Sequence, residues 1–400
     1  MRRRVFLAIA LVCAALLAWN YLRPVPAVSA SSTLPVQTVI PGAAPTIPWP
    51  STGSAAIGVS GLGGIATSGD VQPGPAASIA KVMTALVVLT DKPLAAGDAG
   101  PSITLTAVDV QAYEYELAQQ QSVVKVEAGE QLTEMQALEA MLIPSGNNIA
   151  EMLARWDAGS LPAFVDKMNK RAATLRLTRT KFADPAGVSA DTVSTPSDLM
   201  SLGIAAMRLP AIAQVVKLPQ VQLPVAGVVY NVDAALGQDG IIGIKTGSGF
   251  NVGASFLFAA AFTVSNHNVT IYGCVMGQPT LAAAFTAARA LVRSMQPALV
   301  VKQILARNQA VGAYDTPWGD HSDVLSTFDV SVVEWPGMVL RQQLNGRTLS
   351  IDQPIAPGAP AGTLHVTLGD YSLDIPLVTA SGLYPAGKVW RITRLPGSNS

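Results

Sequence analysis

The chain has 400 residues, which is long for one ordinary domain and comfortable for two. Its 26 basic and 26 acidic residues cancel, so neither nucleic acid nor an anionic surface is an expected partner. Only 13% of the residues are charged, against about a quarter in an average soluble domain, and half are hydrophobic. This composition indicates a globular and not a disordered chain.

The amino-terminal segment, residues 1–30, has the composition of a targeting segment. Three arginines precede about fifteen apolar residues, a length that fits the hydrophobic region of a signal peptide better than the roughly 20 residues of a membrane span. The sequence VSA at 28–30 offers small residues to a signal peptidase, although it lies far from Trp19. A cleaved signal peptide and an uncleaved N-terminal membrane tether are both compatible with this pattern, and each implies export.

The next segments predict a linker and then a mixed domain of helices and strands. Residues 31–50 are rich in proline, serine and threonine and lack any helical or alternating period, which predicts an extended linker. Over 51–306 the patterns predict a hairpin at 55–69, a mostly apolar helix from 78 to about 89, and further helices through the middle. Strands then return at 241–277 and are followed by another helix.

After residue 306 the predicted elements change to short alternating strands. Turn signals recur about every 8 to 12 residues, which is typical of small β-sandwiches. Residues 307–396 are therefore predicted to form a second, all-β domain.

A serine and a lysine three positions apart begin the apolar helix, in the sequence PAASIAKVMTAL. Ser78 and Lys81 lie on one face of a helix, so the amine can reach the hydroxyl. The helix start also directs a backbone N–H and the positive end of the helix dipole at an oxyanion that forms there. The same S-x-x-K pattern recurs at 122–125, but β-branched alternation there predicts a strand, whose positions i and i+3 face opposite ways. Only the first copy predicts a nucleophile with its base.

Two further polar motifs follow in the chain. Ser145 and Asn147 lie in the tight turn IPSGNNIA between two apolar helices, where the alternative interpretation is a loop followed by an asparagine N-cap. Lys245, Thr246 and Gly247 lie in the predicted strand GIKTGSG, whose glycines allow a substrate backbone to lie close alongside.

The residues that other hydrolases need are missing from suitable positions. The histidines, His267, His321 and His365, lie in unrelated segments, and no G-x-S-x-G elbow occurs. This disfavours a Ser-His-Asp hydrolase, and no cluster of histidine, cysteine and carboxylate residues predicts a metal site. If Ser78 is a nucleophile, its base must be a lysine, and the chemistry needs no cofactor.

S-x-x-K, S-x-N and K-T-G in this order are the signature of penicillin-binding proteins and serine β-lactamases. Residues 129–189, the stretch STPSDL at 194–199 and the stretch at 231–256 resemble the low-molecular-mass D-alanyl-D-alanine carboxypeptidases in order and spacing. The resemblance covers about residues 55–295. It implies an α/β (α+β) fold in which helices cover an antiparallel sheet, with an all-helical subdomain and a following small all-β domain.

The resemblance also implies a role for each motif residue. Ser78 attacks the carbonyl of a terminal D-Ala-D-Ala peptide, Lys81 takes its proton, and Ser145 relays a proton towards the leaving amine. The acyl-enzyme then reacts with water. The backbone N–H groups of Ser78 and Ser248 form the oxyanion hole.

The remaining motif residues are implied to bind substrate. Asn147 orients the acyl side chain, and Lys245 and Thr246, with the adjoining Gly247, hold the terminal carboxylate. The expected partners are peptidoglycan stem peptides, with β-lactam antibiotics as covalent inhibitors, in the periplasm or at the cell surface of a bacterium.

Two alternatives remain open on the sequence. A serine β-lactamase shares the acylation groups, but the water-activating glutamate expected in a pattern like E-x-x-L-N is absent between the second and third motifs, since Glu151 lacks that context. The second alternative is a catalytically weak scaffold protein that presents its β domain to a partner. One departure from the family pattern is Asn148, where many relatives have aspartate after the motif asparagine.

Overall fold

The structure is a computed structural model that describes residues 2–68, 72–95, 97–249 and 252–394. The chain divides into two compact units, one of residues 45–299 and one that combines 1–44 with 300–400. The α-helices of the described residues are α1 Arg2–Leu22, α2 Ala80–Asp91, α3 Ala107–Ala118, α4 Glu134–Leu142, α5 Asn147–Ala158, α6 Leu161–Thr174, α7 Pro196–Ala206, α8 Pro210–Val215, α9 Leu281–Met295 and α10 Lys388–Thr393.

Short 3-10 helices lie at Ala77–Ile79 and Gln296–Ala298. The β-strands of the described residues are β1 Ser31–Ser32, β2 Gln37–Val39, β3 Ser54–Val59, β4 Gly63–Thr67, β5 Gly74–Pro75, β6 Ser102–Thr104, β7 Gln131–Thr133, β8 Val193–Ser194, β9 Gln220–Leu223, β10 Gly227–Tyr230, β11 Ile241–Gly249, β12 Gly253–Val264, β13 His267–Gln278, β14 Val300–Leu305, β15 Ala310–Asp315, β16 His321–Ser326, β17 Val330–Glu334, β18 Val339–Gly346, β19 Pro360–Leu368 and β20 Tyr371–Thr379.

The first unit, residues 45–299, is built on a five-stranded antiparallel sheet. Its strand order is β11-β12-β13-β3-β4, so the hairpin predicted at 55–69 is present as β3 and β4. Helices cover both faces, because neighbouring β12 side chains point to opposite sides. Phe256 meets Phe285 of α9 edge to face at 5.0 Å, while Leu257 packs against Gly203 of α7. The predicted α/β fold is confirmed.

Helix α2 lies in the middle of the helical part of this unit. Every residue from Ala80 to Leu89 is buried, and the helix contacts α4, α5, α6 and α7. A helix that is apolar all round must be surrounded by protein, as the sequence VMTALVVL requires. The 3-10 helix at Ala77–Ile79 leads directly into α2 and contacts β11. This arrangement places the start of α2 at the edge of the sheet.

The strand predicted at the second S-x-x-K copy is wrong. Residues 122–125 are irregular, although Val124 and Val126 are buried and Lys125 between them is exposed. The backbone of Val124 pairs with the side chain of Asn148, which accepts from its N–H at 3.0 Å and donates to its C=O at 2.8 Å. A side-chain amide therefore replaces the neighbouring strand that the alternation suggested.

The second unit contains a seven-stranded antiparallel sheet of order β1-β15-β16-β20-β19-β18-β2 and the separate pair β14-β17. In the carboxy-terminal part of this unit the strands begin at Val300, a few residues before the expected boundary at 307. Strands β1 and β2 come from the interval expected to be a linker, 31–50, and form the two edges of the sheet. They have only two and three residues, too few for a periodic pattern to show in the sequence.

Candidate active site

Ser78 lies in the 3-10 helix immediately before α2 and faces a cleft of about 570 Å³. The preceding residue, Ala77, has φ +47°, a left-handed conformation that is strained for a residue with a Cβ. Asn147 and Ser248 line the same cleft. Residues of the first and second motifs and the residue that follows the third are therefore brought together from positions far apart in the chain.

Lys81 is fully buried, and its amine has three oxygen neighbours. Lys81 Nζ lies 2.8 Å from Ser78 Oγ, 2.6 Å from Asn147 Oδ1 and 3.0 Å from the carbonyl oxygen of Ala186. The amide and carbonyl oxygens are acceptors, so they take two N–H groups of the amine. A neutral amine then has its lone pair left for the Ser78 hydroxyl, which is the direction of proton transfer that a general base needs.

The surroundings of Lys81 favour that neutral form. Burial, and next the positive charge of Lys245, hold the pKa of Lys81 well below its ordinary value of 10.5. Asp184 and Glu116 oppose this effect with their negative charges. Burial also raises the pKa of Glu116 to about 7, with the Glu151 charge adding to the rise, which weakens its opposition near neutral pH.

The second motif begins helix α5. Gly146 is the N-cap, so Asn147 is the first helical residue and not the cap that the alternative interpretation required. The Asn147 side chain accepts from Lys81 and donates to Gln121 Oε1 at 2.9 Å. Ser145 is buried at 4% exposure with φ +69°. Among the described residues no hydrogen bond joins Ser145 to Ser78 or Lys81, so its relay role stays a prediction.

The third motif lies on β11, beside the start of α2. Gly247 leaves little room for a side chain, because a Cβ there would lie 3.0 Å from the Ala76 carbonyl oxygen and 3.2 Å from the Ala77 Cβ, so the neighbouring turn would have to shift by a few tenths of an ångström. The glycine thus allows β11 to pack directly against the turn that contains Ser78. Thr246 is buried, and Ser248 lines the cleft.

Lys245 is a second buried amine near the first. Its Nζ donates to the Thr246 carbonyl at 3.2 Å and to Thr246 Oγ1 at 3.5 Å. Burial lowers the pKa of Lys245 to about 7, and the negative charge of Asp233 opposes this. Burial in turn raises the pKa of Asp233 to about 6, and its Oδ2 has no hydrogen-bond partner among the described atoms.

Some groups of the site were not anticipated from the sequence. The carbonyl of Ala186, the side chain of Gln121 and the buried acids Glu116 and Asp233 were all missed. A backbone carbonyl leaves no mark in a sequence, and the position of a single acid or amide depends on the fold. In the segment DPAGVS, which contains Ala186, the residues Asp, Pro and Gly indicate a turn but not its place beside Lys81.

Comparison with known proteins agrees with this geometry. Residues 64–280, more than half of the chain, match the family model described as D-alanyl-D-alanine carboxypeptidase. The chain belongs to this D-alanyl-D-alanine carboxypeptidase family. The resemblance proposed from the three motifs is thereby confirmed.

Curated relatives have related names. D-alanyl-D-alanine carboxypeptidase DacB2 of Mycobacterium tuberculosis is 33% identical over 194 residues, 47% of this chain and 62% of the relative. A D-alanyl-D-alanine endopeptidase of Escherichia coli is 33% identical over 141 residues, 35% of this chain and 42% of the relative. The chain thus matches less than two thirds of the length of these relatives.

Solved structures extend the likeness to the fold. The Streptomyces K15 DD-transpeptidase superposes over 64% of this chain and 100% of its own, with 25% identity and a TM-score of 0.56. The D-alanyl-D-alanine carboxypeptidase DacD of Francisella tularensis covers 87% of this chain and 96% of its own, with a TM-score of 0.61. Its 19% identity shows the fold alone.

In this carboxypeptidase family member, the site combines a serine hydroxyl that faces the cleft with two buried lysines, of which Lys81 contacts that hydroxyl at 2.8 Å. Such a set fits nucleophilic acyl transfer with a lysine base. Within the described ranges, no group of three or more histidine, cysteine, aspartate or glutamate side chains is placed to hold a metal ion. The acyl chemistry can be derived from the side chains alone.

Proposed function

We propose that this chain is a penicillin-sensitive serine D-alanyl-D-alanine carboxypeptidase that removes the terminal D-alanine from peptidoglycan stem peptides. The main support is the hydrogen-bond set of Lys81, which occupies two N–H groups with Asn147 and Ala186 and leaves the amine facing Ser78. Membership of the carboxypeptidase family supports the reaction class, and cell-wall peptidases of this family are generally extracytoplasmic.

In the first half-reaction the Ser78 oxygen attacks the carbonyl carbon of the penultimate D-alanine. The hydroxyl proton passes to Lys81 Nζ as the new C–O bond forms. The carbonyl oxygen becomes an oxyanion that accepts from the backbone N–H groups of Ser78 and Ser248. The C–N bond then breaks, and the terminal D-alanine leaves with a proton relayed through Ser145.

In the second half-reaction water attacks the acyl-enzyme ester. Its proton passes to the neutral Lys81 amine, the ester bond to Ser78 breaks, and the shortened peptide is released with the serine hydroxyl restored. Asn147 orients the acyl side chain, and Lys245 with Thr246 binds the substrate's terminal carboxylate. An ammonium whose pKa is about 7 can supply that charge near neutral pH.

Covalent labelling by a penicillin tests the proposal. The full chain incubated with benzylpenicillin is expected to gain the mass of one penicillin molecule, and Ser78→Ala is expected to abolish this gain. Ser60→Ala, which changes an exposed serine outside the cleft, is the matched control and should label normally. Release of D-alanine from a peptide that ends in D-Ala-D-Ala should then be blocked by prior labelling.

Other results would assign the chain differently. Absence of any mass gain in the wild-type protein would overturn the proposal. Fast turnover of the penicillin would indicate a β-lactamase, and labelling without release of D-alanine would indicate a scaffold protein.

We further propose that residues 1–30 stay on the mature protein as a membrane tether. Helix α1 contains an apolar stretch, Arg3–Leu22, that is long enough to cross a bilayer, a property that a signal sequence shares. What favours retention is the pairing of Val28 with Leu349, whose backbones exchange hydrogen bonds of 2.9 and 2.8 Å.

The end of α1 also has a partner in the second unit. The Arg394 guanidinium donates to the carbonyls of Asn20, Arg23 and Pro24, and the Asn20 side chain donates back to the Arg394 carbonyl at 2.8 Å. A guanidinium at a helix C-terminus satisfies free carbonyls and complements the dipole. Cleavage after residue 30 would remove all these contacts. Intact mass of the protein extracted from bacterial membranes is expected near the full 41.4 kDa, and a chain starting at Ser31 would contradict retention.

A further inference from the structure

The carboxylate of Asp184 organises the loop of residues 184–192. This loop lies between Lys181 and Val193, which form an isolated antiparallel bridge. The carboxylate accepts hydrogen bonds from four backbone N–H groups and one hydroxyl, which together saturate its acceptor sites. The donors are the N–H groups of Ala186 at 2.9 Å, Gly187 at 2.5 Å, Val188 at 3.0 Å and Ser189 at 2.9 Å, and the hydroxyl of Thr192 at 2.9 Å. One side chain thus fixes the path of the loop 184–192.

This loop touches helix α2 on either side of the catalytic amine. The Ala186 carbonyl accepts from Lys81 Nζ at 3.0 Å, and the Pro185 carbonyl accepts from Thr84 Oγ1 at 2.7 Å. Thr84 is one helical turn beyond Lys81, so the two contacts hold the loop along the same face of the helix.

The loop also lies directly against the turn that contains the nucleophile. Gly187 has φ +79°, and a Cβ on it would lie 1.8 Å from the Ala77 carbonyl oxygen. The strained Ala77 backbone therefore fits only because the loop follows this path and has a glycine there. Gly187 and Val188 go on to line the cleft beside Ser78.

We propose that Asp184 is a positioning residue that holds the Lys81 amine and the Ser78 turn in their catalytic geometry. The proposal rests on the proposed function, since it assigns Asp184 a part in the same acyl transfer. Without the carboxylate the loop loses the acceptor that organises its N–H groups, and the Ala186 carbonyl loses its fixed place. Lys81 then lacks one of the two acceptors that aim its amine at Ser78.

Asp184 has a second, electrostatic effect on the same amine. Its negative charge raises the pKa of Lys81, as does that of Glu116, while burial and Lys245 lower it. Removing the Asp184 charge therefore lowers the pKa of Lys81 further. If Asp184 only stabilised the loop, its removal would not be expected to lower the pKa of Lys81 in particular.

The test compares Asp184→Asn with Asp191→Asn in the full chain. Both substitutions remove one carboxylate from the same segment, but Asp191 is exposed and its side chain makes no hydrogen bond among the described residues. The second-order rate of acylation by benzylpenicillin is expected to fall about tenfold to a hundredfold in Asp184→Asn, since small misplacements of catalytic groups have effects of this size. The acid limb of the pH profile of acylation is expected at lower pH in Asp184→Asn than in the wild-type protein. Asp191→Asn should match the wild-type protein in both the acylation rate and the position of the acid limb.

Each other outcome has a defined meaning. Equal acylation by Asp184→Asn and Asp191→Asn overturns the inference, and so does slower acylation with an unmoved acid limb. If circular dichroism shows that Asp184→Asn is unfolded, Thr192→Val replaces it, because this change removes one of the five donors and should slow acylation several-fold without shifting the limb upward. Unchanged acylation in Thr192→Val would then count against the inference. Failure of the wild-type protein to label at all would instead refute the proposed function.

Discussion

Replacing Lys245 by methionine is expected to stabilise the protein while it removes activity. The Lys245 side chain is 2% exposed, and burial lowers its pKa from an ordinary value of 10.5 to about 7. Since each pH unit of such a difference corresponds to about 1.4 kcal/mol, protonation of this buried amine costs about 4 kcal/mol of folding stability at pH 7. Methionine has a similar length and no charge to bury.

Lost contacts reduce that gain. The amine donates to the carbonyl and the hydroxyl of Thr246, worth about 1 kcal/mol together because both bonds are long. The attraction to the Asp233 carboxylate is already contained in the pKa of about 7. A net increase of about 3 kcal/mol in the free energy of unfolding at pH 7 is therefore expected.

The gain should depend on pH in a defined direction. Between pH 7 and 10.5 the unfolded chain holds a proton on this amine that the folded protein lacks, so wild-type stability from this group rises with pH. The advantage of Lys245→Met is therefore full at pH 7 and below and shrinks towards pH 10.5.

Urea denaturation of the full chain in mild detergent, followed by circular dichroism at pH 7 and pH 10, measures this difference. Lys217→Met is the matched control because Lys217 is exposed, and it should change stability little at either pH. Lower stability of Lys245→Met than wild type at pH 7, or an equal difference at both pH values, would refute the reasoning.

Three further changes test the packing and charge of the site. Gly247→Ala places a Cβ 3.0 Å from the Ala76 carbonyl oxygen, so it should destabilise the protein by about 1 to 3 kcal/mol and slow penicillin acylation about tenfold or more. A melting temperature and a labelling rate equal to those of the wild-type protein would contradict this. Asn148→Ala removes both hydrogen bonds to Val124, and urea denaturation should show a loss of about 1 to 3 kcal/mol; unchanged stability would contradict this. For D-alanine release, kcat/KM should fall above about pH 7 as Lys245 loses its proton, and Lys245→Arg should move that fall to higher pH; a flat profile up to pH 9 would argue against carboxylate binding by this amine.

The part of the site that the sequence predicts is the part that depends on local spacing. Ser78 and Lys81 are separated by one helical turn, and the apolar run after them predicts a buried helix, which is what the structure has. The isoleucines of IIGIKTGSG predict a strand for the K-T-G motif, and the motif lies on β11. Such patterns involve a few consecutive residues, so they can be interpreted without knowledge of the fold.

The remaining features depend on contacts between distant segments. Strands β1 and β2 pair with β15 and β18, about three hundred residues away, and have no periodicity of their own. The segment at 122–125 has a strand-like pattern but pairs with the side chain of Asn148. Alternation of apolar residues cannot distinguish such a segment from a strand, because Val124 and Val126 are buried on either side of the exposed Lys125 although the segment is irregular.

The low pKa of Lys81, the proposed base, has its origin in the apolar sequence that also makes α2 a core helix. Lys81 is enclosed by buried residues on its own helix from Ala80 to Leu89, and no carboxylate lies within ion-pair distance of its amine among the described residues. An ammonium held there without a partner would be unfavourable, so the helix that stabilises the fold also favours a neutral amine. The carboxylate of Asp184 is held by hydrogen bonds within its own loop, and its negative charge limits the decrease in the pKa of Lys81. In the proposed mechanism, the reactivity of Ser78 thus depends on a balance between the core around α2, which favours a neutral Lys81, and the charges of Asp184 and Glu116, which oppose it.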